Sequence, residues 1–263
     1  MGIRQLILLS AFLLSDGGIS MKRRGSWTIY FRNRDQALLD KFQELLIQTF
    51  GSKGFVSKRL DGTYFVRLNS NRLAHYLFKI SPSYRTKACH IHPKCQHLTY
   101  KEDEIPCNVI GTHNIKGIEY PKAKIHANVF SSKKLARDFL RIYATCDGGV
   151  SAVPIKNTKG SLFVVRKVFI SVKHPILSNQ LTELLQWLGF SVSQYKDQIR
   201  IVNKFDIKKF KDEIGFVKGA KISGDSRYLS GLRKDFVLNK LVDNFENPSK
   251  FLDFLLKRRS LVG

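Results

Sequence analysis

Two aspartates carry the chemistry this sequence offers. Asp16 and Asp147 each close a mostly apolar helical run and are followed at once by Gly-Gly, a β-branched residue and Ser: SAFLLSDGGIS over 10–20 and IYATCDGGVS over 142–151. A carboxylate in the last turn of a helix meets the negative end of the macrodipole, at a cost of a few tenths to about 1 kcal/mol. One such residue is ordinary. Two in duplicated contexts suggest that a cation is expected where the helices end. If the two helices pack side by side, both carboxylates reach one region, and paired oxygen ligands beside a phosphate are a usual way to hold Mg²⁺. Ala11 and Ser15 on the first helix, with Ala144 and Cys146 as partial counterparts on the second, supply the small residues that close packing needs. Gly17 and Gly148 read as C-caps that accept positive φ cheaply. The plain alternative is that both Asp are capping residues and nothing more.

The elements around the two motifs repeat as well. After Asp16, the alternation of 27–32 predicts a strand, 38–50 an amphipathic helix, 54–59 and 63–68 a hairpin across Asp61-Gly62, and 71–79 a second helix. After Asp147 the order returns: a strand over 162–172, a helix over 176–188, a strand pair over 190–195 and 198–202 across Lys196-Asp197, and a helix over 206–214. Each half reads α-β-β-α-β-β-α, which predicts an α+β fold with pseudo-twofold duplication. The expected division is 1–134 and 135–263, with an insertion at about 80–120 in the first half and a helical tail closing the second. The N-terminal stretch MGIRQLILLSAFLLS has the outline of a secretory signal, but its motif recurs inside the chain, and a cleavable segment has no reason to be duplicated there. Its apolar run, 6–14, is also too short to span a bilayer.

Composition narrows the partner. Lys+Arg number 45 against 21 Asp+Glu in 263 residues, a formal charge of +24 and a pI near 10.0. An excess of that size calls for a polyanion: nucleic acid first, anionic membrane second. The 43% hydrophobic content supports a substantial core, and four Cys exclude a disulfide-dense secreted scaffold.

At the motifs themselves, LSAFLLSDG over 9–17 and LRIYATCDG over 140–148 resemble the two degenerate motifs of the LAGLIDADG homing endonucleases, and the chain is similar to single-chain, two-repeat, archaeal intron-encoded members. The resemblance spans roughly 5–245. It implies two four-stranded antiparallel sheets forming a DNA-binding saddle, with Asp16 and Asp147 as catalytic metal ligands and Gly17 and Gly148 beside them in the metal site. It also implies Mg²⁺ as cofactor, with Mn²⁺ or Ca²⁺ able to occupy the same sites, and a long asymmetric duplex DNA target cut by a monomer. The expected location is intracellular, cytoplasmic for an archaeal protein, with no secretion and no membrane. The family's earlier acidic position holds Leu14 and Thr145 here, and its interface glycine is replaced by Ala11 and Ile142. An RNA-binding intron maturase on the same fold is the alternative reading, and it would not need the acidic pair.

Alternation along the strands marks the face left for nucleic acid. Ser20, Lys22, Arg24, Thr28, Tyr30, Arg32 and Arg67 in the first half, with Lys167, Ser171, Lys173 and Arg200 in the second, are expected to point away from the core. Family members carry a basic residue near the scissile phosphate, and either Lys218 or Lys221 is expected to fill that role here. Lys116 and Lys124 are the first-half candidates. Cys89, Cys95 and Cys107 in the insertion leave three readings open: structural zinc, a disulfide, or plain loop residues, and the C-x5-C-x11-C spacing matches no standard zinc finger.

Overall fold

The computed structural model describes residues 2–21, 25–88, 112–223, 226 and 228–262. Each half has the order read from the sequence. The first runs α1 (Ile3–Ser15), β1 (Gly17–Met21), β2 (Trp27–Asn33), α2 (Gln36–Phe50), β3 (Phe55–Lys58), β4 (Tyr64–Asn69) and α3 (Asn71–Ile80). A small hairpin, β5 (Thr112–Ile115) and β6 (Ile118–Pro121), follows within the inserted segment. The second half runs α4 (Lys133–Asp147), β7 (Gly148–Lys156), β8 (Leu162–Ser171), α5 (Pro175–Trp187), β9 (Ser193–Tyr195), β10 (Gln198–Ile201) and α6 (Lys204–Glu213). Two further helices, α7 (Lys234–Asp243) and α8 (Pro248–Val262), close it.

Both halves build an antiparallel four-stranded sheet with the same strand order, β1-β2-β4-β3 and β7-β8-β10-β9. The helices start where the sequence offers caps: Asp35 accepts from the Ala37 amide, Ser70 from Leu73 and Ser132 from Leu135. Each sheet buries one face, and the alternation puts Ile29, Phe31 and Val66 in one core and Val168, Ile170 and Ile199 in the other. Phe12, Phe31 and Phe42 meet edge-on or tilted, with centroids 4.9 to 5.5 Å apart, tying α1 and α2 to the first sheet.

The centre of the molecule is the α1–α4 pair. Leu6 through Leu14 of α1 are all buried, so this segment is core, packed on α4, as the duplicated motif required. Ala11 and Ala144 are fully covered, and Ile142 also fits with only 4% of its surface exposed. At the far end of the pair, Arg4 meets Asp138 at 2.7 Å. No helix among the described residues is long and apolar enough to cross a membrane.

Candidate active site

Asp16 and Asp147 arrive together because two helices of different repeats end side by side. Asp16 is the cap residue of α1 and Asp147 the last residue of α4. Both carboxyls line one cavity of about 410 Å³. Burial raises the Asp147 carboxyl to about 8; the charge of Asp16 pushes the same way, and Lys234 only partly opposes it. Burial also raises Asp16, to about 6, against the lowering effects of an Asn33 hydrogen bond, Lys234 and Arg32. Asn33 donates to Asp16 Oδ2 at 2.8 Å. Two acidic groups are thus held half-buried around one cavity, with too little positive charge to neutralise them. A divalent cation fits that donor set: oxygen ligands, mutual repulsion to relieve, and a cavity wide enough for phosphate and water.

The surroundings of the carboxyls are built by both repeats. The 410 Å³ cavity is bounded by the end of β8 (Ser171, Val172, Lys173), the β9–β10 turn (Asp197), and Thr86 and Lys87 from the loop after α3 in the opposite half. A second cavity, of about 440 Å³, also contains Asp16. Its walls are the end of β2 with the two residues that follow (Arg32, Asn33, Arg34), Thr63 from the β3–β4 turn, Cys146, and Ser223 from the loop after α6. The two are pseudo-twofold counterparts. In each, a strand end, a hairpin turn and a loop from the other repeat surround the helix termini.

The glycines after the aspartates serve a purpose other than the expected one. Gly17 and Gly148 both enter strands, and Gly148 is extended (φ −136, ψ −170), so neither is a left-handed cap. They are glycines because the backbone is crowded. A Cβ on Gly17 would lie 2.7 Å from Tyr30 O and 2.9 Å from Leu13 Cα, and one on Gly148 would lie 2.7 Å from Ala144 O. The Gly148 carbonyl accepts from Lys234 Nζ at 2.7 Å.

Lys234 is the residue the sequence reading missed. Only 5% exposed, its ammonium donates to Thr145 O at 2.6 Å and to Gly148 O, satisfying carbonyls at the end of α4 where a cation suits the helix dipole. The loop expected to deliver Lys218 or Lys221 delivers Lys234 by backbone pairing, since the Lys234 amide donates to Ala220 O and that of Ile222 to Leu232 O. Lys218 and Lys221 are left exposed, and the Lys221 amide donates to the Asp35 carboxylate. A signal was present: Lys234 precedes Val237, Leu238 and Leu241 at i+3, i+4 and i+7, on the apolar stripe of its helix. In the first half the lysine at the cavity is Lys87. Lys116 sits exposed in the β5–β6 turn with φ 52, and Lys124 is exposed with its amide bound to Ser81.

On the sheet faces, Tyr30, Arg32, Arg67, Lys167, Ser171, Lys173 and Arg200 are at least partly accessible. Arg67 lies over Phe65 and donates to Ser57 Oγ at 3.1 Å; Arg200 lies over Tyr195, 4.0 Å from its centroid. Lys167 is half-buried, its Nζ donating to Gln198 Oε1 at 3.0 Å. Ser20 and Thr28 depart from expectation. They face each other across β1–β2 but are only 7% and 3% exposed, and the Thr28 hydroxyl is spent on Asn69 Oδ1 at 2.7 Å. Lys22, Arg24, Cys89, Cys95 and Cys107 lie outside the described residues.

Neither a family model nor a curated protein matches the sequence. Solved structures do match in fold. I-SmaMI bound to an uncleaved DNA target in the presence of calcium ions superposes with a TM-score of 0.54 at 14% identity, over 97% of each chain. The LAGLIDADG meganuclease I-AabMI bound to uncleaved DNA gives 0.55 at 14% identity, over 98% of this chain and 97% of that one. The I-SmaMI LAGLIDADG homing endonuclease bound to cleaved DNA gives 0.53 at 12% identity, over 98% and 96%. With two four-stranded antiparallel sheets joined through paired helices that end in aspartate, the chain has the two-repeat LAGLIDADG fold.

Proposed function

We propose that this chain is a site-specific double-strand DNA endonuclease of the intron- or intein-homing kind, acting as a monomer on a long asymmetric site. The observation that carries the proposal is the pair of carboxyls, Asp16 and Asp147, at the termini of adjacent helices, sharing one cavity while Asp16 also opens into its pseudo-symmetric counterpart. Two cavities around one acidic pair suit two scissile phosphates, one on each strand. Asp16 and Asp147 would hold divalent metal, Mg²⁺ by expectation, which supplies Lewis acidity at the phosphate when bound. Arg32 and Arg34 in one cavity, and Lys87 and Lys173 in the other, would draw in and orient the phosphodiester, and Asn33 fixes the Asp16 carboxyl. The accessible basic residues of both sheets would track the backbone on either side. The similar proteins named above are bound to DNA, one of them with calcium ions, which supports the reading.

The test uses a duplex recovered by affinity selection, or the sequence flanking the gene's own insertion point. Asp16→Asn and Asp147→Asn are each expected to abolish double-strand cleavage while leaving duplex affinity within a few-fold of the parent. Full cleavage by either variant would remove the proposed site.

A further inference from the structure

The exposed face of the second sheet changes its chemistry along the β7–β8 ribbon. In β7 and β8 the register pairs Ser151 with Lys167, Val153 with Val165, and Ile155 with Phe163. These residues alternate with Val150, Ala152 and Val168, which are buried in the core, so they share the opposite face of the sheet, the one that continues into Arg200 and Ser171. Near the centre that face is polar and basic. Toward the tip it becomes four apolar side chains, Val153, Ile155, Phe163 and Val165, each 41 to 46% exposed. Near the centre the two repeats agree, Arg67 lying opposite Tyr30 and Arg200 opposite Phe169. Exposed apolar residues adjoining one another on two paired strands are not a solvated surface and call for an occupant.

We infer that this quartet reads thymine methyl groups in the major groove at the outer end of the half-site bound by the second repeat, an inference that rests on the endonuclease reading. Three features favour duplex DNA over an apolar protein partner. The quartet is continuous with the Lys167 and Arg200 stripe, the turn beyond it carries exposed Lys159, and its neighbours on the face bear no acidic side chain. A β-ribbon fits the major groove, where the C5-methyl of thymine is the apolar feature available to an aliphatic or aromatic side chain. The spacing agrees. Residues two apart on one strand face are separated by about 6.8 Å, and bases along one strand by about 3.4 Å each. The Val153–Val165 and Ile155–Phe163 pairs therefore address positions two base steps apart.

The experiment is affinity selection of the full chain on a randomised duplex library, then replacement of thymine by deoxyuridine, which removes only the methyl. Thymine should be enriched at two outer positions of one half-site, and deoxyuridine there should weaken binding about fourfold per methyl. The double variant Ile155→Ser, Phe163→Ser should lose this discrimination, and the milder Ile155→Ala should lose part of it. Selected duplexes without outer thymine, or equal affinity for deoxyuridine, would overturn the inference and leave the endonuclease reading standing. No salt-sensitive selection of any duplex would instead overturn that reading itself. Self-association abolished by the double variant would assign the patch to a second copy and also overturn the inference.

Discussion

Replacing Asp147 by Asn is expected to make the protein more stable and at the same time inactive. A carboxyl that titrates at 3.8 in the unfolded chain but at about 8 in the native state stays protonated in the fold after the unfolded chain has ionised. The unfolded state then binds fewer protons, so stability falls as pH rises from about 4 to about 8 and is flat above. At about 1.4 kcal/mol per tenfold in proton affinity, the full cost at pH 8 is on the order of 5 kcal/mol. Water entering the cavity and small movements of the helix ends reduce it, so about 2 kcal/mol is the gain to expect from the neutral isostere. For a chain of this size that is a rise of roughly 4–8 °C in Tm. Thermal unfolding with metal chelated, at pH 5 and pH 8, checks the sign: the Asn variant should gain little at pH 5 and most at pH 8. Saturating Ca²⁺ should reverse the ranking, because a cation that displaces the proton stabilises the parent by mass action and has little to bind in the variant. An Asn variant less stable than the parent at pH 8, or a gain independent of pH, would refute the argument that the two carboxyls are held together at a cost.

Three other outcomes follow from the same geometry. Gly148→Ala forces a Cβ against Ala144 O and should cost about 1–3 kcal/mol by denaturant titration, whereas Gly149→Ala, whose Cβ would meet only the Phe169 ring at 3.5 Å, should change stability far less. Lys234→Met leaves the Thr145 and Gly148 carbonyls without their ammonium and should cost about 2–4 kcal/mol; calorimetry should also show tighter Ca²⁺ binding, since a like charge has gone from beside the site. Duplex affinity should fall on the order of 10³-fold or more between 50 and 200 mM salt if several phosphates are paired, and a flat response in filter binding would contradict the basic faces as the DNA surface.

The order of elements was legible because each is specified locally. Leu38, Leu39, Phe42, Leu45 and Leu46 repeat at helical spacing and all are buried, and Asp61-Gly62 and Lys196-Asp197 both make the turns expected of them. The meeting of Asp16 and Asp147 was legible from the duplication. The buried Lys234 beside the site was less so, because the resemblance points to the loop that carries Lys218 and Lys221. In the structure that loop supplies a backbone edge, and Lys234, thirteen residues beyond Lys221, is carried in on it. Ser20 and Thr28 were misread for a related reason. Alternation tells which side of a strand a residue lies on, but not whether a neighbour such as Asn69 closes over it. The crowding at Gly17 and Gly148 was hidden too, since a contact with Tyr30 O or Ala144 O exists only once strand and helix have packed.

The duplication also bears on how the two halves share the work. Asp16 opens into both cavities, whereas Asp147 lines the one bounded by β8. The cavity bounded by β2 carries guanidinium groups, Arg32 and Arg34; the one bounded by β8 carries the ammonium groups of Lys87 and Lys173. A guanidinium can grip a phosphate through two parallel hydrogen bonds, whereas an ammonium acts as a mobile point charge. Lys234 adds its charge at the end of α4, where it satisfies the Thr145 and Gly148 carbonyls. The backbone symmetry that brings the aspartates together has therefore been kept, while the side chains around them have diverged. On the endonuclease proposal, that divergence suits an asymmetric substrate: one acidic centre would serve two strands, each held by a different set of cations.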